Sequence, residues 1–301
     1  MRNNPVREVL PAEAGQLIEA GAVLLDTREP HEWNVARLQG AQLVPLRSLP
    51  QAIGKAAAVA LPGGKVMVLG GEAGGASIDQ VLLGTPEHLR VAGRLPSPTH
   101  DAAAAVLGSS VYLFGGGQAS SVDTVFRVSR TGAARAAGHL DEPLSDLGAV
   151  TIGGKAYLVG GYTGSKFATA VLRYDAGRTT TVARLPAGTR YAGVAALGGR
   201  IVVAGGLTTA GATSAVYSVD PSTHRVRRIA TLPAPEDHAG MAALGGALYL
   251  VGGREILRIS AGRVSVAARL PVSLSDPAVV AFGDRIVIVG GGTNAVYAFA
   301  P

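Results

Sequence analysis

The sequence predicts an all-β chain folded as a six-bladed β-propeller, and three observations carry that expectation. One phrase, a short aliphatic strand ended by two glycines, occurs six times: VMVLGG (66–71), VYLFGG (111–116), AYLVGG (156–161), IVVAGG (201–206), LYLVGG (248–253) and IVIVGG (286–291). The first glycine of each pair falls at 70, 115, 160, 205, 252 and 290, giving steps of 45, 45, 45, 47 and 38 residues, the length of one four-stranded antiparallel unit. A second register, of Leu-Pro marks, runs in step with the first, and helix signals are nearly absent beyond residue 55.

Composition narrows the function classes. Forty-two Gly, 48% apolar residues and 16% charged residues in 301 describe a turn-rich, heavily buried chain with no segment polar enough for disorder. The formal charge of +6 is spread over singly placed basic residues, apart from HRVRR at 224–228, and there are only five Phe and one Trp. Nucleic-acid binding wants a basic stripe interleaved with aromatics, so no nucleic-acid partner is expected. Cysteine is absent, which removes disulfides, thiolate metal sites and thiol nucleophiles together. The N-terminal MRNNPVREVLPAEAGQ lacks an apolar export core, and no apolar run reaches the ~18 residues of a membrane span. The expectation is a cytoplasmic monomer without a membrane partner or a cofactor.

Taken in order, the chain begins with a short α/β extension, residues 1–40. PAEAGQLI reads as a capped helix at 11–20 and AVLLD as a strand at 22–26. The strings PAEAGQLI, LLDTREPHEW and GAQLVPL resemble the first half of a rhodanese-like domain. The resemblance spans residues 6–49 and stops before the loop that bears that family's catalytic Cys. Sulfur transfer proceeds through a thiolate, so a chain without Cys is excluded from that activity; Asp26, Arg28 and Glu32 are left to form local ion pairs.

Residues 41–301 are expected to form the propeller. Leu-Pro marks, or their Leu alone, stand at Leu49, Leu95, Leu140, Leu185, Leu232 and Leu270. Each closes an outer strand and precedes a small-residue inner strand such as DAAAAVL (101–107), YAGVAAL (191–197) or HAGMAAL (238–244). Small side chains suit strands that converge on a narrow channel. The third strands, TVFRV (124–128), AVLRYD (170–175) and AVYSVD (215–220), carry an aromatic or a terminal acid. The last unit ends at Pro301 with three strands, which would leave an open seam. The register of Leu49 places residues 41–49 in the missing outer slot, paired with AVYAF (295–299).

The six Gly-Gly pairs, with Tyr174, Tyr217 and Tyr297 downstream, resemble kelch repeats over residues 41–301. That places the chain with the galactose oxidase-like/kelch propeller superfamily. The usual Trp of the last strand is missing from TTTVARLP (179–186), VRRIATLP (226–233) and VSVAARLP (264–271). The resemblance implies six four-stranded blades and a binding module of kelch type, and some bacterial kelch propellers act on sugars as epimerases or mutarotases. Copper oxidases of this kind need a Cys cross-linked to Tyr, which the absence of Cys excludes here.

Propeller ligands meet the channel mouth, and the repeat names its residues. Six positions beyond each marked Leu stand Lys55, Asp101, Asp146, Tyr191, His238 and Asp276. Five beyond stand Gly54, His100, Ser145, Arg190, Asp237 and Ser275. The loops after the glycine pairs add a secondary rim of Glu72, Gln118, Tyr162, Thr208, Arg254 and Thr293. Such a ring offers convergent hydrogen bonds to a sugar or a peptide; Asp, Ser and His at these places also serve as turn caps. Sixfold spacing sets Asp101 opposite His238, Lys55 opposite Tyr191 and Asp146 opposite Asp276. The six His never stand two to four residues apart, so no compact metal motif exists. GGYTGSK (160–166) lacks the Gly-Lys-Ser/Thr order of a phosphate loop. Two functions follow: a non-catalytic module that recognises a protein or carbohydrate at the mouth, or a sugar-acting enzyme of epimerase or mutarotase type. A narrow polar pocket with strongly shifted acids would favour the enzyme.

Overall fold

A computed structural model describes residues 48–301. The expectations for residues 1–40, and for the strand at 41–47, lie outside the described residues. The rest is all-β: six four-stranded antiparallel blades, with no helix among the described residues, and so none long and apolar enough to cross a membrane.

The first blade comprises Ala57–Leu61, Lys65–Leu69, Gln80–Thr85 and His88–Arg94, from the channel outward, and the next three repeat that order. In the fifth, the second and third strands are continuous as Ala247–Ser260. Its first part pairs with the inner strand Gly240–Leu244 and its second with Arg263–Leu274. The sixth is built from Pro277–Phe282, Arg285–Gly290 and Thr293–Phe299, with Ser48–Ile53 in the outer position. Ser48 stands opposite Ala295 and Ile53 opposite Thr293, so the two ends of the described chain share one blade. The inner strands touch in succession round a closed ring, the sixth against the first.

The loop between second and third strands explains the one short repeat step. It spans 70–79 in the first blade, 115–123 in the second, 160–169 in the third and 205–214 in the fourth. In the fifth, the strands join directly through Gly252-Gly253. The step from Gly252 to Gly290 loses a loop, not a strand. Four blades therefore raise tall loops at the mouth, and two do not.

Apolar residues are buried between blades. Ala57, Met67 and Leu69 of the first blade pack against Val111, Leu113 and Phe126 of the second, and equivalent clusters fill the next seams. At the closing seam Leu49, Ile53, Val287 and Val289 meet Val66, Val68 and Leu82. All six marked leucines are buried; where the first four blades close, the backbone N–H of Leu95, Leu140, Leu185 and Leu232 each donates to a carbonyl at the end of the loop before. The glycine pairs answer a close approach. Gly115 has φ +60°, and a Cβ there would stand 2.1 Å from the Leu144 carbonyl oxygen, so only glycine lets the next loop bond back. Each outer strand of the first five blades also carries a one-residue bulge at the same repeat position, as at Ala92 between the pairs Val81–Gly93 and Leu82–Val91.

Ile53 is 1% exposed in the closing seam, whereas Val266 on an outer strand is 45% exposed. Ile53→Ala should cost about 2–5 kcal/mol in urea denaturation, and Val266→Ala less than about 0.5 kcal/mol. Equal costs would mean that the seam does not hold the ring.

Candidate functional site

The mouth is built on backbone. Lys55, Asp101, Asp146, Tyr191, His238 and Asp276 stand at the entrances of the six inner strands, and all six have positive φ, from 51° to 59°. Asp and His tolerate this left-handed region; for Lys and Tyr it is an outlier that the surroundings must enforce. The enforcement comes from one blade to the next. The Asp101 N–H donates to the Lys55 carbonyl at 2.9 Å, Asp146 to Asp101 at 2.8 Å, Tyr191 to Asp146 at 3.1 Å, Asp276 to His238 at 2.8 Å and Lys55 to Asp276 at 3.2 Å. At the sixth step, from Tyr191 to His238, the two rings stack with centroids 3.8 Å apart.

The contacts of these side chains run between neighbours round the ring. His238 and Asp276, Asp146 and Arg190, and Tyr191 and His238 meet from adjacent blades. His238 Nδ1 lies 2.8 and 2.9 Å from the two carboxylate oxygens of Asp276, which also accepts from Ser275 Oγ at 3.0 Å. Asp146 is paired with Arg190 Nε at 3.1 Å, and Ser145, Tyr191 and Asp101 stand beside its carboxyl. Arg190 also donates to the Tyr191 hydroxyl. Lys55 reaches outward to Glu72 at 2.9 Å. His100 accepts or donates through Nδ1 to Ser77 Oγ at 2.7 Å, with its Nε2 3.7 Å from Asp101.

Of the expected rim, Glu72 and Tyr162 are brought to the ring, Tyr162 through its face against the Arg190 guanidinium (5.1 Å). Gln118 bonds Ser97 in the connection from the first blade, while Thr208 bonds Gly211, Thr293 bonds Gly290 and Arg254 bonds the Pro271 carbonyl within their own blades. Asp237 lies beside His238 and adds its charge there. Two contributors escaped the sequence reading. Ser77 holds His100, and Phe167 completes the aromatic cage of Arg190 with Tyr162 and Tyr191. Both stand seven residues beyond the first glycine of their pair (70 + 7 and 160 + 7), so the same count would have found them.

Lys55, Asp101, Asp146, Tyr191 and Asp276 line a cavity of about 120 Å³ floored by Ala56, Ala102, Ala192 and Ala239. That is room for about four waters, a small ligand and not a chain segment. Burial pushes the Asp101 carboxyl up to about 8, helped by the charges of Asp146 and Asp276. Burial also raises Asp146, opposed first by the Arg190 guanidinium and then by Ser145, Tyr191 and Asp101. Burial, with the same two carboxylates, raises the Tyr191 hydroxyl. The Asp276 hydrogen bond raises His238, while burial lowers His100. Among the described residues no group of three or more acids and histidines is placed to hold a metal ion.

Asp101 and His238 give stability the same sign. Both have folded pKa values above their ordinary ones, so the folded protein holds protons that the unfolded chain releases. Their contribution is full below the ordinary values of 3.8 and 6.5; that of Asp101 is lost as pH rises through about 8. The melting temperature should fall from pH 6 to pH 9, and Asp101→Asn should flatten the fall. Parallel curves for the two proteins would remove Asp101 as its cause.

Residues 188–233 match the Kelch motif. No curated protein matches the chain by sequence. The solved structure of YjhT superposes with a TM-score of 0.73 at 15% identity, over 84% of this chain and 95% of that one. At that identity the likeness is one of fold. The chain is a six-bladed β-propeller that carries a kelch motif in its fourth repeat.

Proposed function

We propose that the channel mouth binds a small polyhydroxylated ligand of the sugar class and moves a proton on it, in the manner of a mutarotase or epimerase. The observation that carries the reading is the Asp101–Asp146 pair: a carboxyl that burial pushes up to about 8, beside a second acid whose rise Arg190 opposes, at a narrow polar cavity. Such a pair is a bifunctional catalyst. In pyranose ring opening, Asp101 gives its proton to the ring oxygen as the C1–O bond breaks, and Asp146 takes the proton of the anomeric hydroxyl as the C1 carbonyl forms. Both oxygens sit on one carbon, which suits donor and acceptor groups that are themselves neighbours. Closure returns both protons. Lys55, Tyr191 and the His238–Asp276 pair supply hydrogen bonds that orient the remaining hydroxyls.

A non-catalytic module is the second reading. The tall loops of four blades favour it, since they offer Glu72, Gln118, Tyr162 and Thr208 as a recognition rim.

Thermal shift over a panel of monosaccharides and sialic acids, paired with exchange NMR of their anomers, separates the two. The proposal expects a stabilising sugar whose anomers exchange at least 100-fold faster with protein. Asp101→Asn should keep the stabilisation and lose the exchange. Stabilisation without faster exchange leaves the binding module; no stabilising sugar overturns a sugar site.

A further inference from the structure

A second concave surface lies far from the mouth in the repeat, at the outer edge of the first blade. It has a volume of about 980 Å³ and is lined by Lys65, His88, Arg90 and Arg130 over the apolar Leu83 and Val91. The four basic residues are exposed and come from three separate segments. No Asp or Glu lines the groove, and the nearby Glu87 is paired with Arg285 at 3.9 Å.

The repeat shows why this charge is uncompensated. The cation that opens the second strand is Lys155 in the third blade and Arg200 in the fourth. There the acid ending the third strand neutralises it, Asp175 at 2.6 Å and Asp220 at 3.1 Å. The pairing registers, Ala156 with Tyr174 and Ile201 with Val219, correspond to Val66 with Gly84. The residue in the acid's place opposite Lys65 is therefore Thr85. One substitution leaves a lysine unpaired where the fold elsewhere supplies an acid.

The groove also offers backbone. His88–Arg94 is the edge strand of its sheet, with one row of N–H and C=O groups unpaired by any other strand. Its far end is closed by the hairpin of the second blade, where a Cβ on Gly93 would stand 2.1 Å from the Gly132 carbonyl oxygen. What stays open is His88 to Val91, flanked by cations, with Val91 at 48% exposure. Charge, apolar floor and free strand edge together describe an extended segment that alternates acidic and apolar residues. No Phe, Tyr or Trp lines the groove, which disfavours single-stranded nucleic acid as its occupant.

We propose that this groove docks an extended acidic segment of a partner protein, added as a fifth strand to the first blade. Acidic side chains on one face of the strand meet Lys65, Arg90 and Arg130, and apolar ones on the other cover Leu89 and Val91. Fluorescence polarisation with labelled peptides of alternating Glu and Leu, or Asp and Val, tests it. The expected result is saturable binding that weakens with salt and is lost when Lys replaces the acids. Thr85→Asp, which restores the pair of the third and fourth blades, should weaken binding at least tenfold without lowering the melting temperature. Arg90→Glu with Arg130→Glu should abolish it. Absence of saturable binding by either peptide, equal binding to Thr85→Asp, or a DNA duplex that binds more tightly through the same residues would overturn the proposal.

Discussion

The channel mouth depends on a daisy chain of backbone hydrogen bonds through six residues in the left-handed region, five of whose six links are closed. An outer strand must end at the rim and the chain must then enter the next inner strand beside the axis. A positive φ at the entrance makes that reversal and aims the residue's N–H at the carbonyl of the blade before. The strain is of order 1–3 kcal/mol per residue, and the bond to the neighbouring blade holds it. The same geometry that joins blades therefore throws six side chains toward the axis. Structure and candidate chemistry are one constraint at this place.

Which residues occupy those positions then sets the electrostatics. Three of the six are aspartates, and two are deeply buried beside one another, with Arg190 as the nearest strong cation. Two carboxylates in a small cavity cannot both ionise without cost. Arg190 eases the contest: its guanidinium, caged by Tyr162, Phe167 and Tyr191, lies against Asp146 and opposes the rise of that carboxyl. His238 is drawn the other way by Asp276, which sits on the next blade. The mouth is acidic while the outer edges are basic, so the net charge of +6 describes the periphery and says little of the site.

Much of this was legible in the residues. The Gly-Gly period counted the blades, and the marked leucines, all buried, gave the register that named the six entrance residues. The position of Leu49 likewise pointed to an outer slot in the last blade, where Ser48–Ile53 is found. Other features were not legible. The partners of the ring side chains are set by packing, His238 turning to Asp276 and Tyr191 stacking on His238. The bulge of each outer strand has no residue signature, since Ala92, Val182 and Ile229 occupy it alike. The short fifth repeat looked like a spacing irregularity until the missing loop located it.

The sequence by itself determined the number of blades, the order of their strands and the identity of the residues that ring the mouth, because those follow from a period and from where glycine, proline and small residues must fall. Tertiary structure alone decided that burial and neighbouring acids push the Asp101 carboxyl up, and that a threonine in place of an acid leaves a basic groove at the edge of the first blade. Protonation and uncompensated charge are properties of burial and of neighbours tens of residues away, and no local pattern encodes either.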